Sequence, residues 1–254
     1  MSIAYLRHLT APERTRRANS HLAGFLAFIA GAINAGGFLA VRQYTSHMSG
    51  IVSALADDIA VGALPLLFGG VAALSAFILG AGCSAIMINW ARRRHLYSEY
   101  ALPLVLEAGL LICFGMIGGA IAQRQWLYTP LTVSLLCFVM GLQNAMITKI
   151  SKSEIRTTHV TGMITDIGIE LGKLCYWNKA TPDADLPPVR SDRSHLTLLI
   201  SLVALFFFGG IVGALGFKHV GYISTLPLAA MLVALASVPM MDDTLPHFRR
   251  FWRS

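Results

Sequence analysis

The sequence predicts an all-α polytopic membrane protein, and three observations support this fold class: its composition, the alternation of long apolar runs with short basic clusters, and an internal repeat. Of the 254 residues, 55% are hydrophobic and 13% are charged, with a mean hydropathy of +0.62. A soluble domain is about 25% charged. A segment inside a bilayer must satisfy its own backbone hydrogen bonds, so each apolar run is predicted to be a helix.

Six apolar runs are long enough to cross a bilayer as helices. They cover residues 22–41, 63–90, 103–122, 130–148, 196–217 and 221–241. Two shorter stretches, 45–61 and 157–172, have helical character but contain two carboxylates each. Because carboxylates are costly in lipid, these stretches are predicted to be broken or re-entrant helices that do not cross fully.

The Lys and Arg residues predict that both termini are cytoplasmic. With six crossings, all of the 20 Lys and Arg residues except Arg42, Arg124 and Lys218 fall on the cytoplasmic side, as the positive-inside rule requires. The net charge of +7 is therefore explained by topology, and no nucleic-acid partner is predicted. An eight-crossing arrangement would move Arg92 to Arg94 to the outside, which favours six.

An internal repeat divides the chain into two membrane units. Residues 28–35 align with 138–145 at an offset of 110, and residues 45–50 align with 157–162 at an offset of 112. Each unit contains three crossings, and an odd unit repeated in tandem enters the membrane from opposite sides, so the repeats are predicted to have inverted topology. The predicted organisation is a cytoplasmic tail (1–21), repeat 1 (22–122), repeat 2 (130–241, with a cytoplasmic loop at 173–195) and a second cytoplasmic tail (242–254).

Each repeat carries one T-[ST]-H-x-[ST]-G element, which is predicted to begin its short helix. Helix starts with nearby hydroxyl groups hold anions or polar ligands, and histidine changes charge near neutral pH. The alternative is that both histidines bond only to backbone carbonyl groups at the bend. The candidate residues are Thr45, Ser46, His47, Ser49 and Gly50, and Thr157, Thr158, His159, Thr161 and Gly162.

Further polar residues lie close to these elements in sequence. Asn34 and Asn144 are repeat equivalents that either line the same cavity or form hydrogen bonds between helices. Asp58, Asp166 and Glu170 either couple to an ion or lie at solvated helix ends. Glu107 is expected to reach interfacial water or Arg92 to Arg94. Two glycine pairs, Gly115/Gly119 and Gly209/Gly213, are expected to allow close helix packing. The four cysteines are expected to be small core residues: Cys83, Cys113, Cys137 and Cys175.

These motifs resemble the YoaK family of bacterial inner-membrane proteins. The resemblance covers about residues 22 to 241 and is carried by residues 45–50, 141–145, 156–162 and 166–172. It implies a multi-pass fold and a location in the bacterial inner membrane. It implies no substrate or catalytic residue, because the family is a domain of unknown function. The resemblance would place an acidic residue after Ile33, where this chain has Asn34.

The leading hypothesis is a small secondary transporter or permease that binds an unknown small polar or anionic solute between the two histidine elements. The alternative is a non-transporting assembly protein, or a lipid-facing enzyme that uses His47 or His159 as a base. No metal, cofactor or catalytic motif is recognised, so an enzyme is not the first choice. The partner expected in every case is the lipid bilayer, and homo-oligomer formation stays open. A transporter requires a polar cavity at both elements, whereas a scaffold would bury them in dry helix contacts.

Overall fold

A computed structural model describes residues 16–96, 98–123, 125–150, 160–178 and 188–251. Within these ranges the chain forms eight α-helices and one 3-10 helix, and no strand is present, which confirms the predicted all-α class. The helices are α1 (Arg16–Val41), α2 (Met48–Val61), α3 (Leu64–Arg93), α4 (Ala101–Gln123), α5 (Gln125–Ile150), α6 (Val160–Cys175), α7 (Arg193–His219) and α8 (Thr225–Phe251), with the 3-10 helix Gly221–Ser224 before α8.

Five segments of the described chain are long and apolar enough to cross a membrane. They are Ala18–Val41, Leu64–Arg93, Thr129–Lys149, Arg193–His219 and Gly221–Met241. Each has at least 21 residues and therefore spans about 30 Å as a helix. The remaining predicted span, 103–122, falls within α4, where the described apolar segment is Ala101–Met116. The chain is therefore a multi-pass α-helical membrane protein.

The most extensive helix pairs are α1 with α7 and α3 with α5. Glycines bring the backbones of each pair together, because any side chain at these positions would overlap a carbonyl oxygen of the facing helix. In the first pair, Gly31 lies against the carbonyl of Phe206 and Gly209 against that of Phe28; in the second, Gly141 lies against the carbonyl of Phe77 and Gly80 against that of Phe138. Gly213 lies in the same way against Ala32, so the close packing predicted for Gly209/Gly213 is confirmed.

The helices of each pair run parallel. Gly24 of α1 faces Leu205 of α7, and further along both helices, towards their C-terminal ends, Gly36 faces Phe217. In the other pair, the N-terminal parts of α3 and α5 line one cavity, and near the C-terminal ends Lys149 Nζ donates to Asn89 Oδ1 at 2.8 Å. Since α4 joins the end of α3 to the start of α5, it returns the chain along the length of this pair.

Helices α4 and α8 pack against each other in opposite directions. Thr225 Oγ1, at the start of α8, donates to the carbonyl of Leu111 at 3.0 Å. Asp243, towards the other end of α8, accepts a hydrogen bond from the Ser98 N–H just before α4 at 2.8 Å. The two polar contacts fix the antiparallel register of a largely apolar interface.

The two short helices, α2 and α6, have 14 and 16 residues. At 1.5 Å per residue they extend only about 21–24 Å, less than the hydrocarbon core of a bilayer. Each packs against the long helix that follows it, α2 on α3 and α6 on α7. The turn after α2 is made by Gly62, whose φ of 70° is the left-handed conformation that favours glycine.

Candidate functional site

A cavity of about 730 Å³ lies where the two halves of the chain meet. It is lined by α1, α3, α5 and α7 and by the starts of α2 and α6. Phe77 and Phe206, which line it, lie at the middle of the long helices α3 and α7. We refer to this space as the central cavity, since it lies beside the midpoints of α3 and α7.

The lining of the central cavity includes residues that the sequence alignment of the two halves pairs with each other. Asn34 and Asn144 are equivalent at the offset of 110, and Ser49 and Thr161 at the offset of 112. The phenylalanines, Phe77 and Phe206, are equivalent in structure because each presents its carbonyl to the aligned glycine of the facing helix. Ser46 and His47 also line the cavity. Their counterparts Thr158 and His159, together with Thr157, lie outside the described residues.

The two asparagines have different hydrogen bonds. Asn34 Oδ1 accepts from Ser46 Oγ at 2.9 Å and from the Ser46 N–H at 3.3 Å. This holds the first histidine element against α1. Asn144 Oδ1 is buried and has no hydrogen-bond partner among the described residues. An orphaned buried carbonyl oxygen is uncommon in proteins, and here it belongs to a residue that lines the cavity.

His47 is the residue that immediately precedes α2, so the prediction that the first element begins a short helix is correct. No described side chain caps this helix start. The His47 ring lies over Gly50, one turn along the helix, where any side chain would overlap the ring. The glycine of the motif therefore makes room for the histidine.

A second cavity, of about 650 Å³, lies beside the first, between the end of α1 and the starts of α3 and α5. Its charged lining residues are Arg42 and Asp58, and it also contains Gly50. His47 lines both cavities. The imidazole therefore lies between the central cavity and a charged outer one.

Several predicted site residues lie elsewhere. Thr45 is fully buried, and its Oγ1 has no partner among the described residues. Gly162 and Asp166 lie on α6 outside the lining of both cavities. Asp58, the counterpart of Glu170, lies in the second cavity and not in the central one.

Glu170 forms a set of hydrogen bonds that connect α6 to the start of α7. Its carboxylate accepts from Lys173 Nζ at 2.6 Å, from Ser191 Oγ at 2.8 Å and from the Asp192 N–H at 2.8 Å. The bond from Lys173, followed by those from Ser191 and Asp192, holds the pKa of the carboxyl group below its ordinary value. Glu170 therefore stabilises the contact between two helices, away from the central cavity.

The expectation for Glu107 is wrong. Its side chain is fully buried, so it does not reach interfacial water, and Arg92 is bonded to Glu99 and Tyr100 instead. Glu107 Oε1 accepts a hydrogen bond from Gln143 Nε2 at 3.1 Å. A difference between the repeats could have identified this pair, because Gln143 aligns with Ile33.

The fold defines the class of the protein, a polytopic α-helical membrane protein, and polar residues from both halves of the chain line its central cavity. The chain belongs to the family described as a protein of unknown function (DUF1275), whose model matches residues 22–238. This confirms the resemblance to the YoaK family, and the description assigns no activity. Comparisons with curated proteins and with solved structures found no matching protein.

Proposed function

We propose that this protein is a small secondary transporter or permease of the bacterial inner membrane that binds a small polar or anionic solute in the central cavity. The observation that carries the proposal is the paired lining, with Asn34 and Asn144, Ser49 and Thr161 meeting at mid-depth. A site at the interface of two repeats is accessible from either side when the repeats rock against each other.

The proposed topology has six crossings, both termini in the cytoplasm and inverted repeats. The parallel directions of α1 with α7 and of α3 with α5 limit the topology, because a helix returns in the same direction only after an odd number of intervening crossings. This requires α4 to cross, and the short lengths of α2 and α6 favour six crossings over eight. The two equivalent sets of glycine contacts support a twofold relation between the halves.

The lining of the central cavity indicates the chemistry of the solute. Ser46, Ser49 and Thr161 supply hydroxyl groups, His47 supplies an imidazole, and α2 begins there with no side-chain cap. A helix start carries partial positive charge. The described lining contains no carboxylate, so it is better suited to a neutral polar or anionic solute than to a cation. The volume lies within the usual range for small-molecule sites, about 300–1,000 Å³.

Two observations favour a binding site over a purely structural role for these residues. A scaffold would bury its polar groups with every hydrogen bond satisfied. Here the side chain of His47 lies on two cavities, and the carbonyl oxygen of Asn144 lacks a partner among the described residues.

A thermal-shift screen of small carboxylates, phosphate, amino acids and sugars on the purified protein tests the proposal. A solute that binds the native state at 100 times its Kd stabilises it by about 2.7 kcal/mol. We expect at least one solute to raise the melting temperature of the wild type, and N144A and H47A to reduce that shift while still folding.

N89A is the matched control, because Asn89 is an exposed asparagine on α3 that bonds to Lys149 outside the cavity. It should retain the full shift. If every solute that stabilises the wild type stabilises N144A and H47A equally, the central cavity is not the binding site.

A further inference from the structure

A carboxyl group is completely enclosed between α4 and α5. Glu107 is 0% exposed, and so is its partner Gln143. Their one hydrogen bond joins Gln143 Nε2 to Glu107 Oε1. Glu107 Oε2 and Gln143 Oε1 are both buried and without a partner among the described residues. The pair therefore has two orphaned acceptors and lacks one donor.

No positive charge neutralises Glu107 in the described part of the chain. Its packed neighbours are α3, α5, α8 and the 3-10 helix. The described titratable groups of these elements are Cys83, Arg92 and Arg93 on α3, Cys137 and Lys149 on α5, Tyr222 on the 3-10 helix and Asp243 on α8. The connection between α3 and α4 adds Arg94, His95, Glu99 and Tyr100. Arg92 is bonded to Glu99 and Tyr100, and Lys149 to Asn89. Among the described residues, the only hydrogen-bond partner of the Glu107 side chain is the neutral amide of Gln143.

An ionised carboxylate in this position would carry an uncompensated charge in a medium of low polarity, which is strongly unfavourable. A proton on Glu107 removes that charge. It also supplies the missing donor, because a carboxylic acid has one O–H group to offer to an orphaned acceptor such as the amide oxygen of Gln143. Both problems of the pair are therefore resolved by the same proton.

We propose that Glu107, held by Gln143, is a proton-binding site of this protein. Gln143 is followed directly by Asn144, whose side chain lines the central cavity. Consecutive residues point to different sides of a helix, so α5 presents one side chain to the proton site and the next to the cavity. A movement of α5 changes both sites together. The role of this proton as the coupling ion rests on the proposed transport function.

The pair of Glu107 and Gln143 joins the two halves and has no polar counterpart at the equivalent positions. Gln143 aligns with Ile33, and the match of Leu102-Pro103-Leu104 with Leu226-Pro227-Leu228 equates Glu107 with Met231. Both counterparts are apolar. The proton site therefore occurs once, between α4 of repeat 1 and α5 of repeat 2, and the repeat pattern alone does not require it.

Infrared spectroscopy of the purified protein in lipid, titrated with acid and base alone, tests this proposal without any solute. We expect the wild type at neutral pH to show the C=O stretch of a protonated carboxylic acid that E107Q lacks. In D2O the band should shift as the proton exchanges, and at alkaline pH it should give way to a carboxylate band. Q143L should move the band to higher frequency, because the carbonyl of Glu107 loses its hydrogen bond.

E99Q is the control, since Glu99 forms an ion pair with Arg92 and should contribute no such band. The proposal is overturned if no carboxylic-acid band depends on Glu107, or if the band neither exchanges in D2O nor responds to alkaline pH, which would identify a permanently sealed acid. If E107Q does not fold, the frequency shift of Q143L decides. The infrared measurement needs no solute, so its result is independent of the thermal-shift result for N144A. Either proposal, the proton site or the solute site, can therefore be contradicted while the other is supported.

Discussion

The two halves of this protein agree in the contacts that hold the helices together and differ in their carboxylates. Both halves place a glycine of the first helix against a phenylalanine carbonyl in the long helix of the other half. Both also place an asparagine in the central cavity. Asp58, however, lies in the second cavity, whereas its counterpart Glu170 is bonded to Lys173, Ser191 and Asp192.

The glycine contacts that set the helix packing are therefore the same in both halves, whereas the surroundings of the carboxylates differ. A backbone contact without space for a side chain admits only glycine, so it is retained in both halves. A carboxylate must be matched to its local surroundings, and these differ because the two copies face opposite sides of the membrane in the proposed topology. The buried pair of Glu107 and Gln143, which has Met231 and Ile33 as its counterparts, is the clearest departure.

The largest expected effect is a difference in cysteine labelling, present or absent, that tests whether the two halves have opposite orientations in the membrane. Arg94 and Val220 are the residues that directly follow α3 and α7, and both are exposed. In a background without native cysteines, a membrane-impermeant maleimide applied to intact cells should label V220C and not R94C. R94C should react after permeabilisation. Labelling of both variants from the same side would contradict the inverted relation.

The next effect concerns the contacts that the halves share. G80L and G209L should each destabilise the protein by about 1–3 kcal/mol, because a side chain there collides with a carbonyl oxygen of the facing helix. The two losses should be similar, since the contact is the same. Thermal unfolding in detergent measures both.

G82L is the matched control for G80L: Gly82 lies on the same helix, and a side chain there meets nothing within 4 Å. Its melting temperature should stay close to that of the wild type. Equal losses in G80L and G82L would show that the close crossing does not limit stability.

The smallest effect concerns the position at which the carboxylates differ. The pKa of Glu170 is lowered in the folded protein, so its stabilisation is present above the ordinary carboxyl pKa of about 4.3 and is lost as the pH falls through the folded value. E170Q should therefore melt a few degrees below the wild type at neutral pH, and the gap should close in acid.

D58N is the comparison variant, because the carboxylate of Asp58 has no hydrogen-bond partner among the described residues. It should show no such gap. A pH-independent loss in E170Q, or an equal loss in D58N, would contradict the assignment.

Sequence reasoning predicted much of the fold and a smaller part of the site. The all-α membrane class and five of the six predicted spans could be recognised because apolar length and charge act locally along the chain. Asn34 and Asn144 could be selected because they repeat. The repeat difference at Gln143 could be noticed in the sequence, but the burial of Glu107 could not be predicted, since only the packing of α4 against α5 encloses it with Gln143.

By itself, the sequence determined that this chain enters the bilayer as helices, because a backbone in lipid must satisfy its own hydrogen bonds. The alignment of the sequence with itself also showed that its two halves share one pattern of residues. Only the tertiary structure decided which helices meet. Three features depend on contacts between residues that are far apart in the chain. They are the packing of α1 on α7 and of α3 on α5, the cavity that both halves line, and the burial of the Glu107 carboxyl group. Such contacts are decided by the packing of whole helices and leave no local signature in the sequence.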